Sequence, residues 1–399
     1  MPKLLQINTV ANWGSTGRIA EEIGKFAILN GWDSYIAYGR GNPQSQSKLI
    51  RIGSNLDMYS HVLQSRLMDN HGLVSKNVTE KFIKQIDRIS PDIIHLHNIH
   101  GYYLNYPILF DYLSQRSIPV IWTLHDCWPF TGHCAYYTFI KCERWKSGCY
   151  NCPQKKAYPA SFIFDNSSRN YKFKKQAFNS IDNLIMVPVS KWLAGDLKQS
   201  FLGNYPIKVI NNGVDLNIFK PLDQALANKK FTILGVASVW EKRKGLDDFI
   251  QLSQKLSDDF QIVLVGLNKN QIKSLPSQIK AIERTNNISE LVKLYNTADV
   301  FFNPTWEDNF PTTNLEALAS GTPVLTYRTG GSIEAVDGNT GFIIEPGNID
   351  EVIVAIKHIQ MVGKSTYSRY CRERAEKLYN KEDRYNEYIQ LYDKLTHVF

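Results

Sequence analysis

Two doubly wound α/β domains facing each other across a cleft are what the sequence predicts, and three observations carry that expectation. Short β-branched runs alternate with helix-length amphipathic segments along the chain, the pattern of parallel α/β architecture. At 399 residues the chain exceeds the size at which one hydrophobic core usually stops growing. A turn-rich stretch, Asn211-Asn212-Gly213-Val214-Asp215, then Phe219-Lys220-Pro221 and a polar run to Lys230, splits the strand series in two.

In the first series the expected strands are Leu4–Val10, Ser34–Tyr38, Ile93–His97, Val120–Leu124, Leu184–Val189 and Lys208–Ile210. The second series holds Phe231–Ser238, Gln261–Gly266, Val300–Asn303 and Val324–Tyr327. Several are apolar without alternation, as strands are when helices cover both sheet faces. The expected domains are therefore residues 1–213 and 214–380. A last helix, 381–399, places Tyr385, Tyr388, Ile389, Tyr392 and Leu395 at helical spacing and is expected to dock back on the first domain. Ligands of such folds bind at the carboxyl ends of the strands.

Composition, 43% hydrophobic and 21% charged, is that of a globular protein. No apolar run approaches the ~20 residues that span a bilayer, and the N-terminus shows no secretory leader. The expectation is a cytoplasmic protein, peripheral at most on the inner membrane face. Charge is uneven: residues 1–213 hold 24 Lys and Arg against 14 Asp and Glu, whereas residues 214–399 hold 22 against 24. A basic half favours a lipid surface, a phosphate-bearing acceptor or nucleic acid; the plainer alternative is a generic soluble surface.

The strongest motif runs from Asn303 to Val324, NPTWEDNFPTTNLEALASGTPV. It reads strand, loop, short helix, strand, with Thr312 or Thr313 as the cap and Gly321 and Pro323 as the stop. A helix N-terminus presents unpaired N–H groups that suit a diphosphate or a hydroxyl-rich sugar. Asp308, in the loop, and Glu316, about one turn inside the helix, could accept hydrogen bonds from hydroxyls at the two ends of one ligand. The plain alternative is a solvated helix residue and a mere cap.

This stretch resembles the donor motif of retaining glycosyltransferases of the GT-B fold, the large family 4 (glycosyl transferases group 1): two carboxylates with seven residues between them, then an Ala-rich turn and Gly-Thr-Pro-Val. Most members have Glu first; here the spacing falls on Asp308, with Glu307 as its rival. The resemblance implies donor contacts from Asn309, Phe310, Pro311, Thr312 and Thr313, and from the Gly330-Gly331 loop. It implies that Lys244, with Arg243 standing in for a displaced Arg, grips the diphosphate. Gly14-Ser15-Thr16-Gly17-Arg18 resembles the family's glycine-rich loop, with Gly17 toward the donor phosphates and Gly14, Ser15, Thr16 and Arg18 on the acceptor side. His125 matches the histidine that approaches the transferred sugar, and Asp126 follows it on the acceptor side. No Asp-x-Asp occurs, so no catalytic metal is expected, and Lys244, Arg243 and helix N-termini would neutralise the leaving group.

Five of the six cysteines lie between Cys127 and Cys152. Reduced cytosolic thiols in a cluster favour metal over disulfides. Cys149-x-x-Cys152 with Cys134 and Cys142 could make a structural zinc site, with Cys127 or His133 as spares; ordinary buried thiols come next. Some polysaccharide-assembling members carry a similar Cys-rich insertion. After it, Lys155, Lys156, Tyr158, Phe162, Phe164, Arg169, Tyr171, Lys172, Phe173, Lys174, Lys175 and Phe178 interleave charge with aromatic rings. They suit an anionic membrane interface, or equally a solvated helix with its own core face.

The resemblance implies a retaining glycosyltransferase that moves a sugar from a nucleotide diphosphate sugar to a hydroxyl of an oligosaccharide, polyprenyl-diphosphate-linked, in bacterial surface polysaccharide synthesis. The alternatives are other GT-B chemistry, such as a sugar phosphorylase or nucleotide-sugar epimerase, and a zinc-bearing nucleic-acid-binding protein. The last leaves the stretch 308–324 unexplained, so no nucleic-acid partner is expected.

Overall fold

The computed structural model describes residues 1–222 and 230–396. Its chain forms two compact units: Met1–Asn211 together with the chain from Tyr385 onward, and Asn212–Arg384. The breaks fall at 211/212 and 384/385, where the sequence suggested 213/214 and 380/381. Local bonding explains the offset. Val214 bridges Asn380, its N–H donates to Tyr379 O, and Lys381 N donates back to Val214 O, tying both expected boundaries into the second unit. Residues 223–229 of the expected polar linker, and 397–399 of the expected last helix, lie outside the described residues.

The first unit is built on β1 (Lys3–Asn8), β2 (Asp33–Tyr38), β3 (Lys48–Arg51), β4 (Ile93–Leu96), β5 (Val120–Leu124) and β6 (Leu184–Pro188). They pair in the order β3-β2-β1-β4-β5-β6, all parallel. The second is built on β7 (Phe231–Val236), β8 (Phe260–Val265), β9 (Ile279–Ile282), β10 (Val300–Asn303), β11 (Val324–Tyr327) and β12 (Gly341–Ile344). Their order is β12-β11-β10-β7-β8-β9, also parallel throughout. Read from opposite edges, both are the doubly wound 3-2-1-4-5-6 arrangement. Each sheet reverses direction of growth between its first and fourth strands, β1/β4 and β7/β10, and such switch points leave a crevice beyond the strand ends.

Lys208–Ile210 is not a strand. Lys208 N and Ile210 N donate to Met186 O and Pro188 O on β6, yet only the bridge Met186–Ile207 forms, because Pro188 and Pro206 lack the N–H a ladder needs.

In the first unit Leu4, Ile93, Ile121 and Val187 pack with Ile19, Ile23 and Trp32 in one apolar cluster. The helix Lys381–Thr396 contributes Tyr385, Tyr388, Ile389 and Tyr392 to it. Tyr392 OH lies 2.6 Å from His95 Nδ1 and Tyr388 OH 3.1 Å from Thr123 Oγ1, so the buried hydroxyls and the strand polar groups satisfy each other.

Candidate active site

In the second unit the side chains singled out by the sequence gather beyond the β7/β10 switch point. Lys244 follows β7 and Asp308 follows β10. Gly245 has φ +76°, and a Cβ there would sit 2.2 Å from Pro304 O. Only glycine fits, which presses the Lys244 turn onto the loop after β10. Trp306 N donates to Arg243 O at 2.7 Å, a second clasp. Lys244 Nζ is thereby brought into an ion pair with Asp308 Oδ2.

Asp308 is held from the other side as well: its Oδ1 accepts from Phe310 N at 3.3 Å, and its carbonyl accepts from Gly331 N at 3.2 Å. This carbonyl bond clips the Gly330-Gly331 turn, with Gly330 at φ +50°, against the loop. Asp308 is partly exposed, whereas its rival Glu307 is buried, as are Asn309, Phe310 and Pro311.

The helix Thr312–Ala319 starts after Pro311, with no side-chain cap. Thr312 and Thr313 are its first residues rather than its caps, because proline already supplies the extended backbone that turns into the helix. The first-turn N–H groups therefore keep no side-chain partner. Glu316 Oε2 accepts from Tyr295 OH at 2.9 Å. Arg243 is turned to Glu241, Nε to Oε2 at 3.0 Å.

A buried network missing from the sequence reading fixes these pieces. Asn303 Nδ2 donates to Asn314 Oδ1 at 2.8 Å, Asn314 Nδ2 to Ser332 at 3.2 Å, and Ser332 Oγ lies 2.6 Å from Thr326 Oγ1. Strand, helix, strand and Gly-Gly turn are thus pinned together. The sequence signal was one polar residue, Asn303 or Thr326, in each of two otherwise apolar strands.

In the first unit the helix Gly14–Leu29 begins at Gly14. The expected loop Gly14–Arg18 is therefore its first turn, and the helix starts earlier than the expected Ile19, because Gly14 takes φ +63° to turn the chain directly off Trp13. Gly17 packs against the Val10 and Asn12 backbone, 3.2–3.3 Å from where a Cβ would stand. Arg18 Nε donates back to Gly14 O at 3.2 Å, Thr16 Oγ1 lies 3.4 Å from Asn8 Nδ2, and Ser15 is exposed.

His125, just beyond β5, belongs to a chain of polar groups across three strands. Gln6 Nε2 donates to Ala20 O at 2.9 Å, leaving Gln6 Oε1 to accept from His97 Nε2 at 3.0 Å. His97 Nδ1 then has no proton and accepts from His125 Nε2 at 3.1 Å. The Gln6 amide thus sets both tautomers and places the neutral His125 proton on Nε2. Burial, only partly opposed by Asp126, lowers the His125 pKa to about 4, and burial drives His97 well down too.

Asp126 is buried and bonded within the first unit. Its Oδ2 meets His100 Nε2 at 2.8 Å and its Oδ1 accepts from Trp128 N at 2.9 Å. Burial works to raise its pKa but is outweighed by His100, the Trp128 N–H and His125. It anchors the segment that follows.

Comparison with known proteins identifies the family and the fold. The Glycosyltransferase Family 4 model matches residues 17–218, and the model described as Glycosyl transferases group 1 matches 230–360. The chain belongs to glycosyltransferase family 4. This family 4 chain is 22% identical over 414 residues, 98% of its length and all of the relative's, to a putative colanic acid biosynthesis glycosyl transferase, WcaC, of Escherichia coli. It is 24% identical over 192 residues, 45% of its own length and half of the relative's, to the capsular polysaccharide biosynthesis glycosyltransferase CapM of Staphylococcus aureus. Its fold is GT-B: it superposes on sucrose-phosphate synthase of Thermosynechococcus elongatus with TM-score 0.74 at 16% identity, over the full length of both chains. It also superposes on Anabaena HepE in complex with UDP and glucose with TM-score 0.69 at 14% identity, covering 99% and 100% of the two chains.

Five of the glycosyltransferase's cysteines follow directly on Asp126 in the chain. Cys134, Cys142, Cys149 and Cys152 all line one cavity of ≈ 10 Å³. The Cys134–Cys152 thiol contact lowers Cys152 to about 7 and raises Cys134. Cys149, pushed up to about 11 by burial, accepts from Gly132 N at 3.1 Å. Of the spares, Cys127 is buried outside that lining and His133 Nδ1 lies 2.6 Å from Asp69. Among the described residues no three His, Cys, Asp or Glu side chains stand together closely enough to hold a metal ion.

The basic and aromatic residues after the cluster divide. The helix Ser167–Phe178 buries Tyr171, Phe178 and Lys174, so these three are not part of a basic surface. Lys174 Nζ donates to Trp128 O and Thr131 O at 2.7 and 3.0 Å and lies over the Trp128 ring; burial lowers it to about 7. No helix among the described residues is long and apolar enough to cross a membrane.

Proposed function

We propose that this enzyme transfers a sugar, with retention of anomeric configuration, from a nucleotide diphosphate sugar to a hydroxyl of a lipid-linked oligosaccharide during surface polysaccharide assembly. The observation that carries the reading is the Lys244–Asp308 pair beside the uncapped N-terminus of the helix Thr312–Ala319. Together they offer a cation, N–H donors and a carboxylate within one loop system. That set suits an anionic diphosphate attached to a hydroxyl-rich ring. The UDP and glucose bound by HepE and the polysaccharide roles of WcaC and CapM support the donor class and the setting.

In this reading Lys244 and the helix N-terminus take up the charge of the departing diphosphate, without a metal. Arg243 joins them on leaving Glu241. Asp308 and Glu316 accept from sugar and ribose hydroxyls, and His125 serves as a neutral imidazole toward the sugar. The acceptor oxygen bonds to the anomeric carbon as the phosphate oxygen leaves on the same face, and that phosphate oxygen receives the acceptor's proton. A thermal-shift screen tests the donor class: a true nucleotide diphosphate or its sugar raises Tm with concentration above its Kd. No shift with any of them overturns the reading.

The zinc assignment is a separate proposal. It is supported by four thiols around a cavity with room for about one water-sized body, and it requires them to rotate inward onto the ion. Elemental analysis finding near-stoichiometric zinc is the expected result; less than about a tenth of an ion per chain removes it.

A further inference from the structure

The helix Asn55–Met68 is inside out. Its buried side is polar: His61 and Ser65, with His61 Nδ1 2.8 Å from Ser75 Oγ and its Nε2 accepting from Gly72 N at 3.1 Å. Its outer side carries an apolar stripe, with Leu56 80%, Tyr59 63% and Leu63 59% exposed and continuing through Leu67 and Met68, flanked by exposed Asn55, Ser60, Gln64 and Arg66. Steps of three and four residues put this stripe on one face. A soluble helix normally has the opposite arrangement.

The stripe does not stand alone. Phe162 N donates to Arg66 O and Phe164 N to Leu67 O, which lays the segment Phe162-Ile163-Phe164 along the end of the helix. All three of those side chains are about half exposed or more. Cations surround the patch: Arg66 lies over the Phe162 ring, Lys155 Nζ donates to Ile163 O at 3.1 Å, and Lys156 and Lys172 are exposed nearby in sequence. The acidic groups alongside are already engaged. Asp57 accepts from Ser54 and Asp165 from Cys152 N and Ser167 N.

We propose that this patch is where the protein rests on an anionic lipid bilayer, with Leu56, Tyr59, Leu63, Phe162 and Ile163 entering the interface and Arg66 and Lys155 meeting lipid phosphates. Large apolar side chains rimmed by Lys and Arg are what an interfacial contact requires. The charge balance of the N-terminal half, 24 basic to 14 acidic residues in 1–213, favours a negatively charged surface over a neutral one. The proposal uses no residue of the candidate active site, so it stands or falls apart from the donor reading.

Flotation of the full-length protein with phosphatidylcholine vesicles, with and without phosphatidylglycerol, tests it. The expected result is binding that needs the anionic lipid and weakens as salt screens it. The Leu63→Asp/Ile163→Asp variant, altered only at exposed positions, should lose about tenfold or more in partitioning, since two apolar side chains no longer enter the interface. The same variant should keep the wild-type Tm without ligand, which separates loss of docking from loss of fold. Equal binding of wild type and variant, or no preference for anionic vesicles, overturns the proposal. So does a wild type that ignores vesicles but self-associates through the patch, with the variant monomeric, because the occupant is then a second copy.

Discussion

At the switch point of the second unit the chemistry is charged and partly exposed, whereas at that of the first it is neutral, with Gln6 and His97 buried and only His125 partly exposed. Lys244 and Asp308 meet as ions beside a helix N-terminus. Gln6, His97 and His125 meet as a relay of uncharged donors and acceptors. One strand order thus supports two kinds of site. The charged site is made by clasping two loops, through Gly245 against Pro304 and Trp306 against Arg243. The neutral one is made by replacing apolar residues inside parallel strands with polar ones. The first kind holds opposite charges side by side near the surface; the second holds a ring in one tautomer and orientation.

The comparison is broken most forcefully at Lys244. Lys244→Ala should lower kcat by about 10²–10³-fold, the usual effect of losing one transition-state donor, and steady-state transfer assays check it. Near-normal turnover would sink the charged-site assignment. Next comes Gly245→Ala, which places a methyl against Pro304 O in a left-handed backbone conformation. It should destabilise the second unit by about 2–3 kcal/mol, read in denaturant melts. His97→Phe keeps the ring's bulk but removes the acceptor for His125. A roughly tenfold fall in kcat is expected, with the donor-induced thermal shift preserved. If His97→Phe also abolishes that shift, the first site does more than orient His125.

The gentlest probe is acid. His61 and His125 are lowered by burial to about 3 and about 4 from an ordinary 6.5, and His71, His95 and His97 are also driven well down by burial. Folding therefore favours their neutral forms. The stability this reflects is complete above pH 6.5 and is lost as pH falls from 6.5 toward 4, where the unfolded chain binds protons that the folded one refuses. The described part of the second unit has one histidine, His358. Hydrogen exchange resolved by peptide should show the first unit loosening earlier as pH drops; simultaneous loosening contradicts the contrast.

Much of this was legible in advance because the signals were local. Central strands announced themselves as apolar runs, and the motif from Asn303 to Val324 reads out as strand, loop, short helix and strand. What was missed lies at edges and across strands. β3, β9 and β12 are four-residue edge strands, each too short and too partly exposed to stand out from loop sequence. The Gln6–His97–His125 relay joins residues 91 and 28 positions apart. The one hint was a polar residue inside each of the runs Leu4-Leu5-Gln6-Ile7 and Ile93-Ile94-His95-Leu96-His97. The helix Asn55–Met68 gave no hint at all, because a sequence pattern shows amphipathicity but not which face turns inward.

The path of the chain has a consequence for how the protein is made. The first unit takes most of its chain from before the second unit but needs Tyr385, Tyr388, Ile389 and Tyr392 to fill its apolar cluster, and these are made only after the whole of the second unit. The second unit, Asn212–Arg384, is nested wholly between those two stretches. During synthesis the domain started first is the one finished last, and it waits with its strands formed and part of its interior open to water while the inserted domain closes. A stop codon just after Arg384 would spare every residue of the charged site and leave the neutral one without its final helix.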